Sequence, residues 1–173
     1  MRLGEATVKS RGDFNPAKCL TRRNTLQAVD NYGHPYVRLD IPAAKTAAPG
    51  VSQSVWLVPQ GELCAIEALR NLAKVVPAGE LDPLFSWRDD KGGIRPMAKP
   101  RIMERINGIL DANNVPRTFG HSFRIGGASF YMANKVDPEI VRIAGRWRSL
   151  AYETYIRSFE QVISRHLENL PEA

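Results

Sequence analysis

Cysteine is scarce: the 173 residues hold two, Cys19 and Cys64, far apart and in no CxxC or Cys/His grouping. That excludes a disulfide framework and a zinc site of finger type, and both thiols are expected to be reduced and structural. Long apolar runs are missing too. None approaches the roughly 20 residues a membrane span needs, and the N-terminus MRLGEATVKS has no stretch of signal-peptide kind. There is no internal repeat and no low-complexity tract. No cluster of carboxylates stands beside the basic residues in the two-metal pattern, so neither a metal nor another cofactor is expected. What remains is an intracellular chain with no membrane partner. Hydrophobic residues at 43% and charged residues at 24% exclude wholesale disorder, and the length suffices for one domain with a real core.

Lys and Arg total 24 against 18 Asp and Glu, a net charge of +6. An excess of that size suits a polyanionic partner, and equally a basic protein without one, so residue types must decide.

The hydrophobic period changes along the chain. Val37, Leu39 and Ile41 alternate with Tyr36, Arg38 and Asp40, and Val55 and Leu57 alternate with Trp56 and Val58. The stretch from Leu26 to Pro59 therefore reads as β-structure, with Lys45 in a small-residue loop between strands. Glu62 to Val76 places Leu63, Ile66, Leu69 and Leu72 on one helical face, and a loop containing Pro83, Gly92, Gly93 and Pro96 comes next. Pro100 fits the first turn of a helix running to Asn113-Asn114. Further helices are expected from about Ser122 to Ala133, from Asp137 as N-cap to Gly145, and from near Ser149, with a last amphipathic segment through Val162, Ile163, Leu167 and Leu170. The fold class expected is mainly α with a small antiparallel sheet near the N-terminus.

The sharpest local pattern is Gly120-His121-Ser-Phe-Arg124-Ile-Gly-Gly-Ala-Ser. His121 and Arg124, three apart, share a helix face. Imidazole and guanidinium together suit a phosphate, the guanidinium gripping two oxygens in a fork. Alone, such a spacing is more often ordinary structure than a site. The sequel is Gly145-Arg146-Trp147-Arg148-Ser149-Leu-Ala-Tyr152-Glu-Thr-Tyr155-Ile-Arg157. With it the chain resembles the catalytic domain of a tyrosine recombinase (phage integrase family), most nearly the recombinases of Crypton-like eukaryotic mobile elements. Arg2-Leu-Gly-Glu5 fits the family's first arginine motif and Lys45 its β-hairpin lysine, so six positions match in the right order.

The resemblance implies the integrase catalytic-domain fold over residues 1–173 as one domain, without the family's N-terminal core-binding domain. It implies DNA strand cleavage and rejoining through a covalent 3′-phosphotyrosine, with Tyr155 as nucleophile and Tyr152 as a competitor for that role. Arg2 and Arg124 would hold the non-bridging oxygens, His121 and Trp147 would complete the pocket, Lys45 would protonate the departing 5′-oxygen, and Glu5 would brace the site from behind these residues. Arg22, Arg23, Arg146 and Arg148 are candidate contacts to the DNA backbone, although a solvated charged face accounts for them equally well. The implied partners are double-stranded DNA and further copies of the chain, as a tetramer on paired sites. The place of action would be the nucleus for a eukaryotic mobile element and otherwise the cytoplasm. Elsewhere ordinary roles are expected: His34 and His166 at the surface, and Phe123, Phe130 and Tyr131 in the core. Two other functions fit less closely. A type IB topoisomerase would carry lysine in place of His121 and histidine in place of Trp147. A recombinase-derived DNA-binding protein would have lost cleavage.

Overall fold

The computed structural model describes residues 1–44, 47–48 and 50–148. Its first sheet is built on a central strand, β2 (Pro35–Ile41), flanked antiparallel by β1 (Thr25–Val29) and β3 (Gln53–Leu57). The alternation in β2 works as expected: Val37, Leu39 and Ile41 are all at most 3% exposed, while Tyr36, Arg38 and Asp40 lie on the other face. Leu39 sits opposite both Thr25 and Val55, and Val37 opposite Leu57, so the register joins the buried residues of β2 to those of β3 in one apolar stripe. A one-residue slip would turn that stripe to solvent. The β1–β2 turn is fixed by Asp30, whose carboxylate accepts from the backbone N–H groups of Tyr32 and His34, and by Gly33 at φ 83°.

The buried side of the sheet is closed by α2 (Ala65–Val75) through Ile66 and by Leu20 and Leu84 from the loops. Each such aliphatic side chain contributes about 1.5–3 kcal/mol on burial. The helix begins three residues later than the sequence pattern indicates, and Leu63, expected on its apolar face, lies outside it and is exposed.

The loop expected around Pro83 to Pro96 contains instead a second antiparallel pair, β4 (Ser86–Arg88) and β5 (Ile94–Pro96). Gly92 at φ 79° permits its turn, and the Asp89 carboxylate accepts from the N–H groups of Lys91 and Gly93 and from Arg95. Strands of three residues are too short to display a period. The next helix, α3 (Lys99–Ala112), carries Pro100 in its first turn and ends at Asn113, with Asn114 in the left-handed region.

Two helices complete the described chain, α4 (Ser122–Ala133) and α5 (Pro138–Gly145), and the single turn α1 (Leu3–Ala6) stands at its start. Asp137 caps α5 as expected, its carboxylate accepting from the Glu139 N–H at 2.7 Å. α4 packs on α5, and the one buried residue of each is small or branched, Ala128 and Val141. That close approach turns the aromatic residues of α4 away. Phe123, Phe130 and Tyr131, expected in the core, are exposed, with the Phe130 and Tyr131 rings edge to face and the Tyr131 hydroxyl accepting from Gln60. Among the described residues the architecture is mixed α and β, five α-helices with a small antiparallel sheet near the N-terminus and the additional hairpin. None of these helices is long and apolar enough to cross a membrane. The helix expected from near Ser149 and the final amphipathic segment lie outside the described residues.

Candidate functional site

The N-terminal segment is tied down before it reaches the site. Val8 is buried and exchanges backbone hydrogen bonds with Met97 and Lys99, at 3.0 and 2.9 Å, at the start of α3. Gly120, in the turn before α4, lies against Leu3; a Cβ there would sit 3.4 Å from the leucine side chain. α1 and the beginning of α4 are thereby neighbours.

Glu5 is the hub of the site. Its side chain is 6% exposed and accepts from the Arg2 backbone N–H at 2.7 Å, from the Arg2 guanidinium at 3.1 Å and from Nη2 of Arg146. Burial pushes its carboxyl upward, but the hydrogen bonds and charges of Arg2 and Arg146 outweigh this and hold it below the ordinary value of 4.5. Arg146 ends α5 in the left-handed region at φ 56°, an uncommon conformation for a residue with a Cβ. Its guanidinium, 10% exposed, also donates to the Gln53 side-chain oxygen at 2.9 Å, which anchors the end of α5 to β3.

Arg124 stands in the first turn of α4 and reaches the same end of α5. It donates to the Gly145 carbonyl, and its guanidinium carbon lies 4.0 Å from the centre of the Trp147 ring, a cation–π stack. Trp147 is held in turn by Arg142, whose guanidinium donates to its carbonyl at 2.9 Å. The Met1 amino group lies in the field of Arg2, Arg124 and Arg146. Burial first, then Arg146, Arg124 and Arg2, push it down to about 6 against the opposing pull of Glu5.

Segments far apart in sequence thus deliver Arg2 and Arg146 to Glu5, and Arg124 to the end of α5 from which Arg146 reaches it; the Arg146–Glu5 pair alone spans 141 positions. Among the described residues Arg2 and Arg146 share Glu5, and all three guanidiniums are at least partly shielded from water. Such a site can grip the non-bridging oxygens of a phosphodiester and stabilise charge developing there. Among the described residues no group of three His, Cys, Asp or Glu side chains could hold a metal ion. No protein-family model and no curated protein sequence matches the chain.

Of the residues singled out from sequence, Arg2, Glu5, Arg124 and Trp147 fall in this cluster. His121 is the exposed residue at the N-cap of α4, three before Arg124. Lys45, Tyr152 and Tyr155 lie outside the described residues. Among the proposed backbone contacts, Arg23 and Arg148 are exposed, but Arg22 and Arg146 are turned inward. Arg22 donates to the Val76 carbonyl and the Ser86 hydroxyl, both at 3.1 Å, and so ties the loop before β1 to the end of α2 and to β4. Sequence reasoning misses the bridging part of Arg146, and Gln53 as its second acceptor. The only signal for them is that Arg146 directly succeeds the helix-ending Gly145.

Proposed function

We propose that the chain is the catalytic domain of a tyrosine-type DNA strand transferase, a site-specific recombinase or integrase acting on double-stranded DNA. The observation that carries the reading is the convergence of Arg2 and Arg124, the two arginines the resemblance assigns to the phosphate, on one cluster around Glu5 and Trp147. In the reaction proposed, the Tyr155 oxygen attacks the scissile phosphorus and a phosphotyrosine bond forms as the bond to the 5′-oxygen breaks. Arg2 and Arg124 neutralise the equatorial oxygens, His121 and Trp147 complete their hydrogen bonding, and Lys45 gives its proton to the leaving 5′-oxygen. Rejoining is the reverse, with a 5′-hydroxyl of the partner strand attacking. Recombination between two sites requires copies of the chain to associate on DNA, as a tetramer on paired sites.

A nicked suicide duplex tests this. Release of the short 5′ fragment prevents rejoining, so the unaltered chain should accumulate a protein–DNA adduct that survives SDS. Tyr155→Phe should abolish the adduct while DNA binding persists, and Tyr152→Phe should leave it. Adduct formation that depends on Tyr152 instead would overturn the nucleophile. A second reading, DNA binding without cleavage, is favoured by one feature: Arg2 and Arg146 are both engaged by Glu5. Binding with no adduct from the unaltered chain would select it.

A further inference from the structure

Among the described residues the three-stranded sheet is open at β1, which pairs with β2 and with no other strand. The Asp30 N–H donates to the His34 carbonyl across the β1–β2 turn, which sets the alternation of the ladder. Ala28 and Leu26 therefore exchange hydrogen bonds with Tyr36 and Arg38, and the backbone groups of Gln27 and Val29 point away from β2. Those outward N–H and C=O groups meet no partner among the described residues. At Thr25, the third such position, the N–H already donates to the Arg22 carbonyl. Sheet edges are commonly blunted by lysine, proline or a bulge. β1 reads Thr-Leu-Gln-Ala-Val in unbroken register and has none of these.

Beside this edge two adjoining clefts of about 380 Å³ each separate β1 from α2, and Gln27, Val37, Ile66 and Arg70 line both. Val37 and Ile66 are buried and Leu69 half-buried, so the floor is apolar. Gln27 lies opposite Val37, so the inward residues of a further strand beside β1 would continue the stripe that Val37 belongs to. The charge is of one prevailing sign. Arg22, Arg70 and Lys74 are basic, and Glu67, already paired with Arg70, is the only acidic residue in either lining. Arg22 is committed to Val76 and Ser86, whereas Lys74 is exposed and makes no ion pair among the described residues.

We propose that β1 and α2 form a docking groove for an extended acidic peptide of a partner protein, which adds to the sheet antiparallel to β1 as a fourth strand. The outward groups of Gln27 and Val29 bond its main chain, its apolar inward residues fill the clefts over Val37 and Ile66, and a carboxylate at one end meets Lys74. Main-chain bonds give such a complex its affinity, and the alternate side chains its specificity.

The probe is the acetylated, amidated heptapeptide ETVTVTE, which puts both valines and both glutamates on one face of a strand. Titrated into the full chain, it should saturate at one per chain by amide chemical shifts and slow hydrogen exchange at Gln27 and Val29. N-methylation of its two valines removes the donors that face β1 and should weaken binding about tenfold or more. The counterpart KTVTVTK should bind about threefold or more weaker, and Lys74→Glu should reverse that preference. Gln27→Pro removes one outward N–H, a change that an edge strand tolerates, and should weaken ETVTVTE. The N-methylated peptide makes the same test on the unaltered chain. Full affinity of the N-methylated peptide, equal affinity for the two charge forms, or no saturable binding would each overturn the proposal. Protection of the Gln27 and Val29 amides that rises with protein concentration alone would overturn it too, assigning the edge to a second copy of the chain.

Discussion

Glu5 shows how one carboxylate can organise several cations. With a 6% exposed side chain and three donors from Arg2 and Arg146, it is far more committed than a surface ion pair, which contributes little. Replacing it by Gln keeps the shape but leaves the guanidiniums undercompensated, at a cost of about 1–3 kcal/mol at neutral pH. The pH dependence has a definite sign. Glu5 titrates below 4.5 in the folded chain, so its contribution is complete above 4.5 and is lost as pH falls through the folded value. Below pH 4.5, clear of the Met1 amino group that titrates at about 6, the difference in urea midpoint between the unaltered chain and Glu5→Gln should therefore shrink as pH falls toward 3. A difference that grows on acidification would show that Glu5 does not hold this network together. The bracing role of Glu5 is implied by the family resemblance of the Arg2–Glu5 motif. Nothing local hints that Arg146, 141 positions away, is its other partner, because that contact depends on where α5 ends in space.

At the scale of elements, what can be foreseen depends on how much local chemistry each one carries. β2 alternates over seven residues, and α5 has its cap, its proline and its terminal glycine, so both are legible. β4 and β5 have three residues each and read as loop. The sequence places α4 correctly but its aromatic residues on the wrong side, since the buried position is Ala128 and a small residue carries no hydrophobic signal. The end of α5 is where an element most directly shapes the candidate site. At Gly145 a Cβ would run into the Trp147 ring, so the glycine is required for the indole to lie over the helix end and under Arg124. Gly145→Ala should expel the ring and cost about 1–3 kcal/mol in stability, as overpacking does. Trp147 emission should shift to the red, read in a chain whose Trp56 and Trp87 are changed to Phe. An unshifted emission and unchanged stability would mean that the stack on Arg124 does not form.

For the whole molecule the question is where a net charge of +6 is presented. Basic residues counted along the sequence look equivalent, yet the fold sorts them. Arg22 is used internally at Val76 and Ser86, Arg101 and Arg117 are paired on the surface with Glu104 and Asp111, and Arg2, Arg124 and Arg146 converge. If duplex DNA is held at the convergent cluster, affinity should fall steeply with salt, by about 0.9 in the logarithmic slope for each phosphate neutralised. Arg2→Gln and Arg124→Gln should each reduce that slope by about one, whatever the DNA sequence, because a phosphate contact carries no base information. Lys18→Gln, at an exposed lysine outside the cluster, should leave the slope near its original value. Circular dichroism and a urea midpoint for each variant separate loss of a contact from loss of fold. Affinity that stays constant between roughly 50 and 200 mM salt would remove the phosphate backbone as the partner. A slope that falls equally in all three variants would show that the charge acts as a diffuse field, and the cluster around Glu5 would then have no special claim on the DNA.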